Sequence, residues 1–156
     1  MWFWKRKKKA KEQPQQSKRI HATLKEVENA VLQFEEQLPP TVKRTILIGK
    51  DNRIDFSQLT RFLGGEPSES FYMSKETYEI FGENDKMIPQ YLDSVQAAVD
   101  DYVSEHNKLP VVPDRPDGLV HYDLLLRDRY LKEKPPIPMY ITDDEFMVTH
   151  RKPESG

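Results

Sequence analysis

Cysteine is absent from the 156 residues. That excludes a disulfide scaffold, thiolate metal ligation and a cysteine-borne lipid anchor, and it accords with a cytoplasmic location. No apolar run approaches the roughly 20 residues that span a bilayer, and the N-terminus lacks the hydrophobic stretch of a secretory signal. Apolar residues are scarce as well, 37% of the chain against 32% charged, so part of the sequence is expected as tail or solvated surface. The length still suffices for one domain with a real core. Glycine signatures for phosphate loops are missing: Gly64-Gly65 follows a helical pattern, lacks a Lys-Ser/Thr after it, and reads as a helix stop. Ser68, Ser70 and Ser74 stand outside any Gly-x-Ser-x-Gly elbow, and none of the four histidines sits in a nucleophile–base arrangement.

What is present is unevenly charged. The net charge of −2 conceals eight Lys or Arg within residues 1–19, opposed only by Glu12, so a segment of +7 precedes a remainder of −9. Residues 1–20 keep no helical or strand period, and their Lys, Gln, Pro and Ser cannot bury enough surface to offset chain entropy. They are expected to form a disordered arm. At its start Trp2, Phe3 and Trp4 stand beside Lys5, Arg6, Lys7, Lys8 and Lys9. Tryptophan favours the bilayer–water interface, and a polybasic run is drawn to anionic headgroups. At roughly 1 kcal/mol per cation near the surface, five or six contribute up to about 5–6 kcal/mol before entropy is subtracted. An anionic membrane surface is therefore the expected partner. Nucleic-acid binding by Lys and aromatic stacking ranks below it, because the acidic remainder repels phosphates. A solubilising tail is the plainest alternative.

The remainder repeats itself. At an offset of 68, Leu24, Val27, Ala30, Val31 and Phe34 fall on Leu92, Val95, Ala98, Val99 and Tyr102. Further on, Phe62, Leu63, Pro67, Tyr72, Ser74 and Tyr78 fall on Tyr130, Leu131, Pro135, Tyr140, Thr142 and Phe146. Between the short helices an offset of 66 fits better, pairing Ile54, Phe56 and Leu59 with Val120, Tyr122 and Leu125. The fold expected is α+β: two degenerate helix–helix–hairpin units, 21–86 and 87–153, packed as one body with the two helical stripes as a common core.

Within the first unit, Thr23 and Glu26 form a capping box before an amphipathic helix that Pro39-Pro40 ends. The β-branched run Val42–Ile48 predicts a strand, and Gly49–Asn52 a turn. Asp55 caps a short helix through Leu63. Residues 70–81 suit a hairpin around 74–77, while Ser74 also suits a helix cap, so both readings stand. In the second unit Pro89 fits a first helical turn, residues 107–118 an extended loop, Tyr122–Leu131 a short helix, and Met139–His150 a closing hairpin.

The aromatic–basic start, the segment Phe71–Tyr78 and the closing Tyr140–Pro153 carry a resemblance. The chain resembles a small family of uncharacterised proteins from spore-forming Gram-positive bacteria, defined only as a domain of unknown function. The resemblance implies no activity and transfers no catalytic residue.

Three constellations carry chemistry of their own. His121 with Asp123, and Asp143, Asp144 and Glu145 with His150, are oxygen and imidazole donors of the kind that hold divalent ions in a small hydrolase. An Asp-rich hairpin turn is ordinary turn composition, however, and the spacing is not that of a calcium loop. Asp100-Asp101 and Glu35-Glu36 are adjacent on helices, point apart, and read as solvated faces. Tyr72, Tyr78, Tyr140 and Phe146 on the two hairpins suit a shared groove for an extended peptide or glycan, with core packing as the plain alternative. The sequence therefore predicts a non-enzymatic binding or adaptor protein on the cytoplasmic face of a membrane. No cofactor is expected, and the partner beyond the membrane is an unidentified protein or peptide. A metal-dependent enzyme at His121, Asp123 or the 143–150 hairpin is the rival.

Overall fold

Short elements dominate the chain, as its proline content and polar turns demand. The computed structural model describes residues 18–154; the disorder and membrane contacts expected of residues 1–17 lie outside the described residues. In chain order the elements are β1 (Arg19–Ile20), α1 (Leu24–Glu36), α2 (Thr60–Leu63), β2 (Glu66–Pro67), β3 (Tyr72–Met73) and β4 (Ile80–Phe81). Then follow α3 (Ile88–His106), α4 (Tyr122–Arg127), β5 (Tyr140–Ile141) and β6 (Val148–Thr149). The described residues are thus a mixed α+β structure with three two-stranded sheets.

Thr23 caps α1 reciprocally: the Glu26 N–H donates to the Thr23 hydroxyl at 3.1 Å, and the Thr23 N–H donates to the Glu26 carboxylate at 2.8 Å. Those bonds, the backbone one first, hold the Glu26 carboxyl below its usual range. Val27, Ala30, Val31 and Phe34 are buried on one stripe of α1, and Leu92, Val95, Ala98, Val99 and Tyr102 on one stripe of α3. Pro89 lies in the first turn of α3, and Asn107 at φ 55° closes it.

The hairpins share one register. Tyr72 faces Phe81 and Met73 faces Ile80; 68 residues on, Tyr140 faces Thr149 and Ile141 faces Val148. Residues 74–77 are therefore a hairpin turn, not a helix. Bridges join Arg53 to Tyr72 and Leu119 to Tyr140, and the Ile54 and Val120 N–H groups donate to the Phe71 and Met139 carbonyls, both at 2.9 Å. Each hairpin turn ends on an aromatic at positive φ, Tyr78 at 64° and Phe146 at 59°. Asn52 at 65° and Gly118 at 73° likewise occupy matching places. At Gly118 a Cβ would lie 2.6 Å from the Ile141 carbonyl oxygen, so the close approach of the chain there requires glycine.

Five expectations give way. The stripes of α1 and α3 do not make one common core: Val27, Val31 and Phe34 belong to one cluster with Leu47, Leu59 and Met73, and Val95, Val99 and Tyr102 to another with Leu125 and Met139. Each hairpin covers one long helix, so the two halves of the chain close separate cores. The seam is β4, whose alternating side chains send Ile80 into the first cluster and Phe81 into the second. The predicted strand Val42–Ile48 is instead a 3-10 turn at Arg44–Leu47, with only Ile48 bridged to Ile54. Among the described residues its pairing is confined to its end, where the Asp55 N–H donates to the Leu47 carbonyl at 2.7 Å, and the rest of its backbone closes on itself, Ile46 N to Lys43 O and Ile48 N to Thr45 O. The helix expected from Asp55 to Leu63 is a 3-10 turn at Phe56–Gln58 followed by α2, and the expected Tyr122–Leu131 helix stops at Arg127. Finally, Arg19 and Ile20 are not arm: β1 pairs in parallel with β2. The Glu66 and Ser68 N–H groups donate to the Lys18 and Ile20 carbonyls at 2.8 and 2.9 Å. Gly65 admits this contact, since a Cβ there would collide with the Lys18 carbonyl oxygen.

Helix α3 braces both hairpins. Its Asp93 carboxylate accepts from the Ser74 hydroxyl at 2.6 Å, the Asn52 side-chain amide at 2.6 Å, and the Lys75 and Glu76 N–H groups at 3.1 and 3.2 Å. One turn later, buried Gln96 accepts from the Val148 N–H at 2.7 Å and donates to the Phe146 carbonyl at 3.3 Å.

Candidate functional site

Two clefts of similar size recur at matching places. The first, about 490 Å³, lies between residues 53–56 and 66–70, with Arg19, Gly49 and Lys50 on its rim. The second, about 520 Å³, lies between residues 119–123 and 134–138, with Val112 beside them. Offsets of 66 for the first wall and 68 for the other carry one lining onto the next. Their chemistry differs. Arg53, Glu66, Ser68, Glu69 and Ser70 in the first correspond to Leu119, Lys134, Pro136, Ile137 and Pro138 in the second. A charged cleft in one half thus corresponds to an apolar, proline-lined cleft in the other.

One wall explains a further difference. In the first half β1 lies against Glu66–Pro67, held by the Ser68 N–H. Pro136 stands at the place of Ser68 and has no N–H to offer. There the residue corresponding to Ile20 is Ile88, which begins α3 instead of a strand. A cavity of about 530 Å³ remains between the start of α3, at Met87, Gln90, Tyr91 and Ser94, and residues 130–135.

His121 and Asp123 both line the apolar cleft, so the structure brings this sequence-predicted pair together. His121 Nδ1 accepts the Leu124 N–H at 3.2 Å and caps α4, the role Asp55 plays toward Ser57 at 3.0 Å in the first half. With Nδ1 accepting, the ring proton sits on Nε2, which is a donor and no metal ligand in that state. The Tyr122 hydroxyl donates to the Ile137 carbonyl at 2.8 Å, and burial raises its pKa strongly.

The 143–150 hairpin is elsewhere. Asp143, Asp144 and Glu145 are exposed turn residues, and His150 turns toward the first half, with its ring 5.3 Å from that of Phe81 and its Nδ1 3.7 Å from Glu79. Arg151 meets the same Glu79 at 3.1 Å. Among the described residues no three His, Cys, Asp or Glu side chains gather as a metal site.

Of the four hairpin aromatics, Tyr72 and Tyr78 line two different cavities. Tyr72 and Tyr140 are buried, Tyr72 donating its hydroxyl to Glu83 at 2.8 Å. Tyr78 packs under the Arg44 guanidinium, 4.4 Å from its ring centre, and Phe146 is 48% exposed. Their sequence match reported hairpin construction: tyrosine on β3 and β5, and a left-handed aromatic at each turn. The clefts were missed because their walls are loops, whose matching residues differ in type. Only the repeat offset could have found them. The membrane-binding residues Trp2 to Lys9 lie outside the described residues, and no helix among the described residues is long and apolar enough to cross a bilayer.

A family model described as a protein of unknown function (DUF3939) matches residues 17–150. No curated protein and no solved structure matches the chain.

Proposed function

The chain belongs to the DUF3939 family of unknown function, and we propose that it is a non-enzymatic binding or adaptor protein, attached peripherally to an anionic membrane surface by Trp2, Phe3, Trp4 and Lys5 to Lys9. We further read the body as two diverged copies of one helix–helix–hairpin unit, one carrying a charged cleft and the other an apolar cleft. The pair of matching clefts is the observation that carries the binding role. Both are concave and preformed. In the apolar cleft Leu119, Ile137 and the prolines supply buried contact area, while His121 Nε2–H, the Asp123 carboxylate and Lys134 supply orienting polar groups.

The rival enzyme reading draws on His121 and Asp123 sharing that cleft. It is weakened by the commitment of His121 Nδ1 to the start of α4.

Sedimentation with vesicles tests the attachment. The intact chain is expected to bind anionic vesicles in a salt-dependent way, because its attraction is partly Coulombic and screened within about 8 Å at physiological ionic strength. Replacing Trp2, Phe3 and Trp4 with Ser should weaken binding and leave it salt-sensitive. Replacing Lys5 to Lys9 with Gln should largely abolish it. Retention of RNA or DNA with no vesicle binding at the same salt replaces this reading with nucleic-acid binding.

A further inference from the structure

Although the chain beyond residue 19 is acidic, three of its cations, Lys50, Arg53 and Lys86, gather with Arg19 around two adjoining cavities. Arg19, Lys50 and Arg53 line the charged cleft, and Lys50 and Arg53 also line a neighbouring cavity of about 260 Å³ together with Lys86, Tyr72 and Asp51. Asp51 is the one carboxylate residue lining that smaller cavity, whereas Asp55, Glu66 and Glu69 line the larger. Lys86 is 3.1 Å from Glu83, and Arg19 is 3.9 Å from Glu66. Lys50 and Arg53 form no ion pair among the described residues. Tyr72 and Lys86, and after them Arg53, help hold the Glu83 carboxyl below its usual range, but neither Lys50 nor Arg53 is held in contact with a carboxylate among the described residues.

Those two side chains are presented by a fixed turn. The Gly49 N–H donates to the Arg53 carbonyl at 2.7 Å, and the Arg53 N–H to the Lys50 carbonyl at 3.1 Å. Between them, buried Asn52 is anchored to the Met73 carbonyl at 3.0 Å and to Asp93. A braced turn spares the backbone part of the ordering cost when these cations meet an anion, and a guanidinium beside an ammonium suits the oxygens of a phosphate. Arg19 belongs to β1, the first described strand, so the basic segment joins the body at the rim of these cavities.

We propose that the cavity at Lys50, Arg53 and Lys86 binds the phosphate of an anionic lipid headgroup, so that the body itself meets the membrane on the face where the arm joins it. This rests on the arm-mediated attachment proposed above, and it assigns the body a contribution that its net charge argues against.

The full chain is tested on phosphatidylcholine vesicles with and without phosphatidylglycerol, with inorganic phosphate as the soluble probe. Lys50→Gln and Arg53→Gln, both at exposed positions, should each weaken partition onto phosphatidylglycerol vesicles roughly fivefold. Lys108→Gln, an exposed cation outside both cavities, should have a smaller effect. Amide resonances of residues 49–53 should shift on vesicle binding. Equal losses from Lys50→Gln and Lys108→Gln, or no loss from Lys50→Gln and Arg53→Gln, overturn the site. If that happens while Lys5 to Lys9→Gln still abolishes binding, the arm reading survives alone. Vesicle binding that tolerates the arm substitution but not Arg53→Gln removes the arm reading and keeps the site. Shifts at 49–53 with inorganic phosphate, and none with vesicles, overturn the headgroup as the source.

Discussion

The Asp93 carboxylate lies 2.6 Å from the Ser74 hydroxyl and joins the long helix of the second half to the hairpin turn of the first. The same carboxylate accepts from Asn52 and from two turn N–H groups. This is a contact between the halves, and nothing in the first half corresponds to it, since the matching position is Lys25. Asp93→Ala is expected to cost about 2–4 kcal/mol, because charge-assisted bonds are lost and the Ser74 hydroxyl loses its acceptor. Urea unfolding measures this. A loss under about 0.5 kcal/mol would show that water replaces the carboxylate without penalty.

Glu76 follows from the same turn. Burial, then Asp93 and Asp100, raise its pKa. A carboxyl with a raised folded-state pKa destabilises the fold as pH rises past its unfolded value near 4.5. The penalty is complete above the folded value and absent in more acidic solution. Glu76→Gln should therefore raise the melting temperature at pH 7 and leave it unchanged near pH 3. Equal gains at both values would point to a cause other than ionisation.

Separate cores predict separate energetics. Val31 and Val99 are buried at matching places in different clusters. Val31→Ala and Val99→Ala should each cost about 2 kcal/mol, and the double variant should be additive within about 0.5 kcal/mol. Denaturant unfolding of the three variants checks it. A large coupling would mean that the stripes communicate across the seam at Phe81.

The sequence by itself determined the local elements. The Thr23 capping box, the α1 and α3 stripes, the Gly49–Asn52 turn and the matched hairpins were legible because each rests on short-range periodicity or on one residue's backbone preference. Tertiary structure decided what those signals leave open. Val42–Ile48 has strand propensity, yet among the described residues only Ile48 is bridged, to Ile54, and Arg44–Leu47 closes as a 3-10 turn. The two stripes could pack together or apart, and hairpins covering each helix set them in separate cores, with β4 between. The clefts were invisible because their walls approach through space, residues 53–56 toward 66–70 and residues 119–123 toward 134–138, along loops whose side chains differ. Composition fixed the chain's net charge, but the folded turn at 49–53 decided where Lys50 and Arg53 stand without carboxylate partners among the described residues. Periodicity acts over one or two turns of chain, whereas a site depends on which distant segments the fold brings together.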